Sequence, residues 1–304
     1  MNAQERPPAV VVGVDGSPAA RAALLWAADE AHRRREQLRI VHGMGLASKL
    51  GVHPLPDRAS VEEDLVEIGR SLLSESVEAV RRARPDVEVV DVLAEDDAPA
   101  VLLDDARHGD VIVVGSRGLG GIRAIMLGSV SARTSSHAPC PVVVVPDADR
   151  PRRPRGRIVV GVDGSDSSHR ALRFGLREAL VSESEVVVVN SWEVPLPADV
   201  DPAAVDAQSV HEEVFDRQSE EVVAGVLAEV IDDSTEGVEI SAVRMQADPV
   251  EALLKAGEDA DLIVVGSRGR GGVRGLVMGS VSQGVLHRAR VPVAVLPPHS
   301  DETD

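Results

Sequence analysis

Two stretches of this chain place glycine, serine and arginine at a spacing suited to holding an anion. The first reads Gly115-Ser116-Arg117-Gly118-Leu119-Gly120-Gly121, and Gly128-Ser129-Val130-Ser131 follows it closely. Glycine permits positive φ and lets backbone N–H groups come near an oxyanion. A helix opening at Gly128 would present free N–H groups and a favourable dipole to a phosphate. Ser129 and Ser131 would add hydroxyl donors, and Arg117 and Arg123 would offset phosphate charge. A single glycine-rich turn after a strand is often only a tight turn. Here the pattern returns as Gly266, Ser267, Arg268, Gly269, Gly271 and Gly272, then Gly279, Ser280, Val281 and Ser282, with Arg268 and Arg274 in register. Duplication alone would copy a structural turn as well. Yet residues 61–82 are far more altered in their counterpart than these loops are, which favours binding.

A second pair of segments ends in a carboxylate: Gly13-Val14-Asp15-Gly16-Ser17 and Gly161-Val162-Asp163-Gly164-Ser165. Asp15 and Asp163 have two readings, which stay open at this point. Each caps the helix that follows, a common use of Asp. Alternatively each holds Mg2+ beside a triphosphate, directly or through water. Other chemistry is excluded by spacing. No GxxxxGK[ST] occurs, and the only lysines, Lys49 and Lys255, follow no glycine-rich loop, so a P-loop is ruled out. The 115–121 segment also lacks the dinucleotide fingerprint in phase. No base is paired with a nucleophile, so no catalytic residue is assigned. His32, His42, His137 and His287 read as surface or packing residues, and Asn190 takes the place of His42 in the repeat. Cys140, between Pro139 and Pro141, reads as an inert thiol.

Composition narrows the partners. The chain has 304 residues and a formal net charge of −18, with Trp26, Trp192, Phe174 and Phe215 as its aromatics. Such a surface repels phosphate backbones and has little to stack on bases, so nucleic acid is disfavoured. The cores must be aliphatic. Lone Cys140 allows no intramolecular disulfide, which fits a reducing compartment. The first residues show no apolar leader, and no aliphatic run approaches the ~20 residues that cross a bilayer. A cytoplasmic protein is expected.

The elements that must position these segments come in two copies. Val-Val-Gly-Val-Asp-Gly-Ser at 11–17 returns at 159–165, and Ile-Val-Val-Gly-Ser-Arg-Gly at 112–118 returns at 263–269. Repetition at this length means two domains, placed at 1–147 and 157–304, with a polar, proline-rich linker over 148–156. In the first copy, strands are expected at 9–14, 38–41, 87–92, 111–114 and 142–145. Helical spacing runs over 18–35 through Ala22, Leu25, Ala28 and Ala31, and over 61–82 through Leu65, Ile68, Leu72, Leu73, Val77 and Val80. Asp97 and Pro99 open a further helix as cap and first-turn proline, and 128–137 is a short helix. In the second copy, strands are expected at 158–162, 186–189, 238–243, 262–265 and 293–296. Alternating strands and helices, with the strands apolar throughout, mean an α/β fold: a doubly wound parallel sheet with helices on both faces. Ligands bind such sheets beyond the carboxyl ends of strands where the winding reverses.

With these residues in place, the sequence resembles a tandem universal stress protein of the nucleotide-binding kind. That family carries G-x2-G-x9-G-[ST], matched here by Gly115, Gly118, Gly128 and Ser129 and again by Gly266, Gly269, Gly279 and Ser280. The strand ending in Val-Asp-Gly-Ser and the closing Pro-Cys-Pro-Val-Val-Val-Val-Pro are also typical. The resemblance implies a five-stranded sheet in the order 3-2-1-4-5 in each domain, with ATP across strands one and four. It implies that Asp15 and Asp163 lie near ribose and phosphates, and that Val41 and Val189 bracket the adenine through their backbones. It implies last strands that pair the two lobes, and association of two chains as a homodimer. The function it implies is stress-response regulation by ATP occupancy rather than efficient catalysis. The rivals are a slow Mg2+-dependent ATPase or phosphotransferase, and a partner-docking protein that takes another adenine nucleotide such as cyclic AMP.

Overall fold

The structure, a computed structural model, describes residues 6–46, 58–118, 127–147, 154–193, 205–270 and 278–297. The chain divides into two compact units, Met1–Pro151 and Arg152–Asp304.

Valine runs set the frame of the first unit. Strands β1 (Ala9–Gly13), β4 (Val111–Gly115) and β5 (Val142–Val145) each bury four successive residues. Burial on both faces is what a helix-covered parallel sheet requires of its inner strands. β2 (Gln37–Gly43) and β3 (Val89–Ala94) complete the sheet in the order β3-β2-β1-β4-β5, with every pairing parallel. Helices α1 (Pro18–Arg34), α2 (Arg58–Ala83), α3 (Ala98–Asp105) and α4 (Ser129–His137) make the crossovers. The second unit repeats the plan. Its strands are β6 (Arg157–Gly161), β7 (Glu185–Trp192), β8 (Ile240–Gln246), β9 (Leu262–Gly266) and β10 (Val293–Leu296), in the order β8-β7-β6-β9-β10. Its pairings are parallel too. Helices α5 (Asp166–Ser182), α6 (Val205–Val230), α7 (Pro249–Ala256) and α8 (Ser280–Arg288) connect them. In each unit the winding reverses between the first and fourth strands, so a crevice opens beyond their carboxyl ends.

β2 and β7 run past the apolar stretches that announce them, at 38–41 and 186–189. β7 continues to Trp192, still paired with Gln246, because backbone pairing does not stop where the side chains turn polar. Asp97 does cap α3, accepting from the Ala100 amide, with proline in the first turn. The expected apolar stripe of α1 is half right: Ala28 and Ala31 are buried, whereas Ala22 and Leu25 are not. Leu25 is 40% exposed, and the buried face is Ala20, Ala23, Leu24, Ala27, Ala28 and Ala31. In a helix this rich in alanine many phases look apolar. The winning phase puts the smallest residues against β4, where a Cβ on Gly115 would stand 2.6 Å from the Ala19 carbonyl carbon. Ile68 of α2, one of the apolar residues that mark the helical spacing, is 63% exposed, whereas Leu73 and Val80 are buried. Among the described residues no helix is long and apolar enough to cross a membrane.

Candidate functional site

At the switch point of the second unit lies a cavity of about 400 Å³. Gly161, Val162 and Asp163 line it from the end of β6, and Val189 and Asn190 from β7. Gly266, Arg268, Gly269 and Arg270 line it from the loop after β9, and Gly279, Ser280, Val281 and Ser282 from the start of α8. Pro249, Leu253, Val265 and Met278 add an apolar wall. Ser267 is an exception among the sequence-derived residues: it is fully buried, and its hydroxyl has no hydrogen-bond partner among the described residues. Gly271, Gly272 and Arg274, like Gly120, Gly121 and Arg123 of the first unit, lie outside the described residues.

The helix that opens at this cavity is unusual in its cap. Ser17, Asp97, Ser165 and Asp248 each cap their helices with a side-chain oxygen that accepts a first-turn amide. α4 and α8 begin instead at Gly128 and Gly279, with no side-chain cap bond. The amides of Ser129, Val130 and Ser131, and of Ser280, Val281 and Ser282, therefore keep the unsatisfied donors of a helix N-terminus. Such a terminus favours an anion. The serine hydroxyls at the third position behave otherwise than the sequence suggests. Ser131 Oγ donates to the Gly115 carbonyl and Ser282 Oγ to the Gly266 carbonyl, both at 2.7 Å. Each hydroxyl proton is thus committed to fastening the helix start onto the strand end.

Asp15 and Asp163 do not cap a helix; Ser17 and Ser165 do that. Each aspartate closes a turn onto the amide two residues on, Asp15 Oδ1 from Ser17 at 2.9 Å and Asp163 Oδ1 from Ser165 at 3.0 Å. This is the local Asx geometry that makes Asp common in turns. The second oxygen of Asp163 reaches across the site and accepts the Arg270 amide at 2.8 Å. The carboxylate therefore ties the strand-one turn to the strand-four loop.

The motif glycines serve that closeness rather than positive φ. Among the described glycines, left-handed φ occurs at Gly16 (83°) and Gly164 (78°) next to the aspartates, but not at Gly118 or Gly269. At Gly118 a Cβ would stand 2.5 Å from Asp15 Oδ2, and at Gly269 2.5 Å from Asp163 Oδ2. Gly128 and Gly279 donate to the carbonyls of Ser116 and Ser267, at 2.9 and 2.7 Å, which folds each loop back on itself.

At the opposite end of the site, the Val14 amide donates to the Val41 carbonyl and Val162 to Val189, each at 2.9 Å. Each of those carbonyls keeps one lone pair. His42 and Asn190 share a task that their different chemistry hides. His42 Nδ1 donates to the Val14 carbonyl and Asn190 Nδ2 to the Val162 carbonyl, both at 2.7 Å. Gly69 leaves room for Leu93 and for this imidazole: a Cβ there would lie 2.7 Å from Leu93 Cδ1 and 3.3 Å from His42 Cδ2. The shorter amide is completed by Ser219, whose hydroxyl donates to Asn190 Oδ1 at 2.7 Å.

Charge at the rim is positive within a chain of net charge −18. Arg117, Arg268 and Arg270 take no side-chain hydrogen bond or ion pair among the described residues. Cys140 lies away from this site, is buried, and has its thiol pushed up to about 12, chiefly by burial. Among the described residues no group of three His, Cys, Asp or Glu is placed to hold a metal ion.

The sequence pattern of the universal stress protein family matches residues 8–146 and again 154–297. A universal stress protein of Mycobacterium tuberculosis (strain ATCC 25618 / H37Rv) is 34% identical over 294 residues, covering 94% of this chain and 95% of its own. A Mycobacterium bovis universal stress protein is 32% identical over 296 residues, covering 94% and 96%. Among solved structures, a universal stress protein from Archaeoglobus fulgidus DSM 4304 superposes over 99% of this chain and 100% of its own with a TM-score of 0.66. At 21% identity that likeness speaks to the fold alone.

Proposed function

The chain belongs to the universal stress protein family, and from that premise we propose that each unit binds ATP and that occupancy sets conformation or partner choice in a stress response. The observation that carries this reading is the mixed lining of the cavity in the second unit, part apolar and part anion-binding. Val189, Pro249 and Leu253 make an apolar wall suited to a flat base. The same cavity is lined by the uncapped start of α8 and by Arg268 and Arg270. A ligand with an apolar plate at one end and several negative charges at the other fits both. A nucleoside polyphosphate is the commonest molecule of that kind. Gly13, Val14, Gly115, Ser116 and Arg117 occupy matching places in the first unit, so two sites per chain are proposed.

In this reading Ser280, Val281 and Ser282 hold the phosphates through backbone N–H groups, as Ser129, Val130 and Ser131 do in the first unit. Asp15 and Asp163 act as loop anchors first, because their oxygens already accept amides. Mg2+ arrives with the nucleotide, and the remaining lone pairs would meet it through water. ATP is held and released rather than turned over. The homodimer is part of the same proposal and is read by sedimentation velocity with and without ATP.

The test uses the purified full chain. Small molecules released on denaturation are identified by mass spectrometry, and the stripped protein is titrated with ATP, ADP and cyclic AMP. The reading expects adenine nucleotide in the released fraction and close to two ATP bound per chain. Preference for cyclic AMP would move the proposal to the other adenine nucleotide. Multiple ATP turnovers that stop without Mg2+ and in an Asp15→Asn, Asp163→Asn double variant would favour the enzyme.

A further inference from the structure

We propose that Arg270 makes the second unit the tighter of the two sites for a polyphosphate tail, so that it fills first when nucleotide is scarce; this rests on the nucleotide reading above. The two loops are identical over 112–118 and 263–269, and then diverge at one chemically large step, Leu119 against Arg270. Arg270 is held at its backbone, where its amide donates to Asp163 Oδ2 at 2.8 Å. Its guanidinium lies across Gly164, whose φ of 78° already favours glycine: a Cβ there would stand 2.8 Å from Nη2. In the first unit the matching Gly16 is faced by a hydrocarbon, Leu72 Cδ1, at 3.6 Å from the same position. A cation therefore stands in one unit where an apolar group stands in the other.

Arg270 lines the cavity and also borders a neighbouring hollow that holds Glu221 and Glu229 of α6, and among the described residues its side chain has no hydrogen bond or ion pair. A guanidinium carries five donors in a fixed fork that matches phosphate oxygens two at a time. Leaving it unpaired on a chain of net charge −18 makes sense if an anion completes it. The ligand class follows: a nucleoside di- or triphosphate gains from Arg270, and a nucleoside does not.

Calorimetric titration of the full chain with ATP and with adenosine, at low and moderate salt, tests this. Wild type should show two ATP affinities, the tighter one more sensitive to salt. Arg270→Leu, which copies the first unit, should weaken that tighter site about tenfold, in line with one charge-assisted contact. It should flatten its salt dependence and leave adenosine unchanged. Arg270→Gln serves the same purpose should leucine unsettle the fold, and equal unliganded melting temperatures confirm that the units are intact. Two ATP bound with unchanged affinities in both variants would overturn the inference and leave the nucleotide reading standing. Equal weakening of ATP and adenosine would also overturn it, since a merely structural role behaves so. Failure of wild type to bind any nucleotide removes the reading on which it rests.

Discussion

Gly269→Ala is a small change with a large expected effect. The added methyl would sit 2.5 Å from Asp163 Oδ2, about 1 Å inside ordinary contact. The carboxylate must swing away, and in doing so it releases the Arg270 amide, now accepted at 2.8 Å, and strains the bonds from Ser165. A hydrogen bond to a charged group contributes about 1.5–3 kcal/mol. If the freed loop must be reordered each time nucleotide binds, affinity in the second unit falls about 10–100-fold. Melting of the full chain reads this directly. At ATP near 100 Kd an intact site adds about 2.7 kcal/mol to its unit, or about 5–10 °C in Tm for a domain of ~150 residues. A site weakened 100-fold then sits near half occupancy and adds about 0.4 kcal/mol, or ~1 °C. The first unit should keep its full shift. An unchanged ATP-dependent shift in both units of Gly269→Ala would refute the reasoning that this glycine exists to let the carboxylate close the loop.

Gly118→Ala should reproduce the effect in the first unit alone, weakening one of the two ATP affinities about 10–100-fold in a titration and leaving the other unchanged. As a control, Gly225 of α6 has nothing within 4 Å of a new Cβ, so Gly225→Ala should raise stability by about 0.5–1 kcal/mol without touching binding; a loss of stability in urea melts would contradict this. Asn190→Ala leaves the Val162 carbonyl and the Ser219 hydroxyl unpaired and should cost about 1–3 kcal/mol. Asn190→His combined with Ser219→Gly, which rebuilds the His42–Gly69 pair, should recover much of what Asn190→His alone loses; additive losses in the double-mutant cycle would show the two residues are not coupled. Cys140, buried and with its thiol raised to about 12, should resist iodoacetamide at pH 8, where only roughly one thiol in ten thousand is ionised, until the unit unfolds. Rapid alkylation of native protein would contradict its placement.

Much of this architecture could be read from the residues because each copy checks the other. Uninterrupted aliphatic residues at 142–145 and 111–114 leave no solvent face, which points to a parallel sheet between helices. The glycines of both loops stood out because they recur in register. What escaped the sequence was contact at long range. The bond from the Arg270 amide to Asp163 spans 107 residues, so local spacing offered only capping or metal binding for that carboxylate. The substitution of His42 by Asn190 looked like loss of a shared role, since the role is a hydrogen bond to a strand-end carbonyl and both side chains can donate it. A paired reading with Gly69 and Ser219, where a large side chain faces none and a small one faces a hydroxyl, was the available signal. Leu25 shares its helical spacing with buried Ala28 and Ala31 yet lies exposed, because close approach of helix to sheet rewards alanine. Arg270 was passed over inside a run of glycines, although its departure from Leu119 was visible from the alignment of the two copies.

Crystals of the full chain grown with ATP would decide the central claim. The account expects triphosphate density against the amides of Ser280, Val281 and Ser282 and against those of Ser129, Val130 and Ser131, with adenine beside Val189 and Val41. Nucleotide bound elsewhere, or those helix starts left bare at saturating ATP, would contradict it.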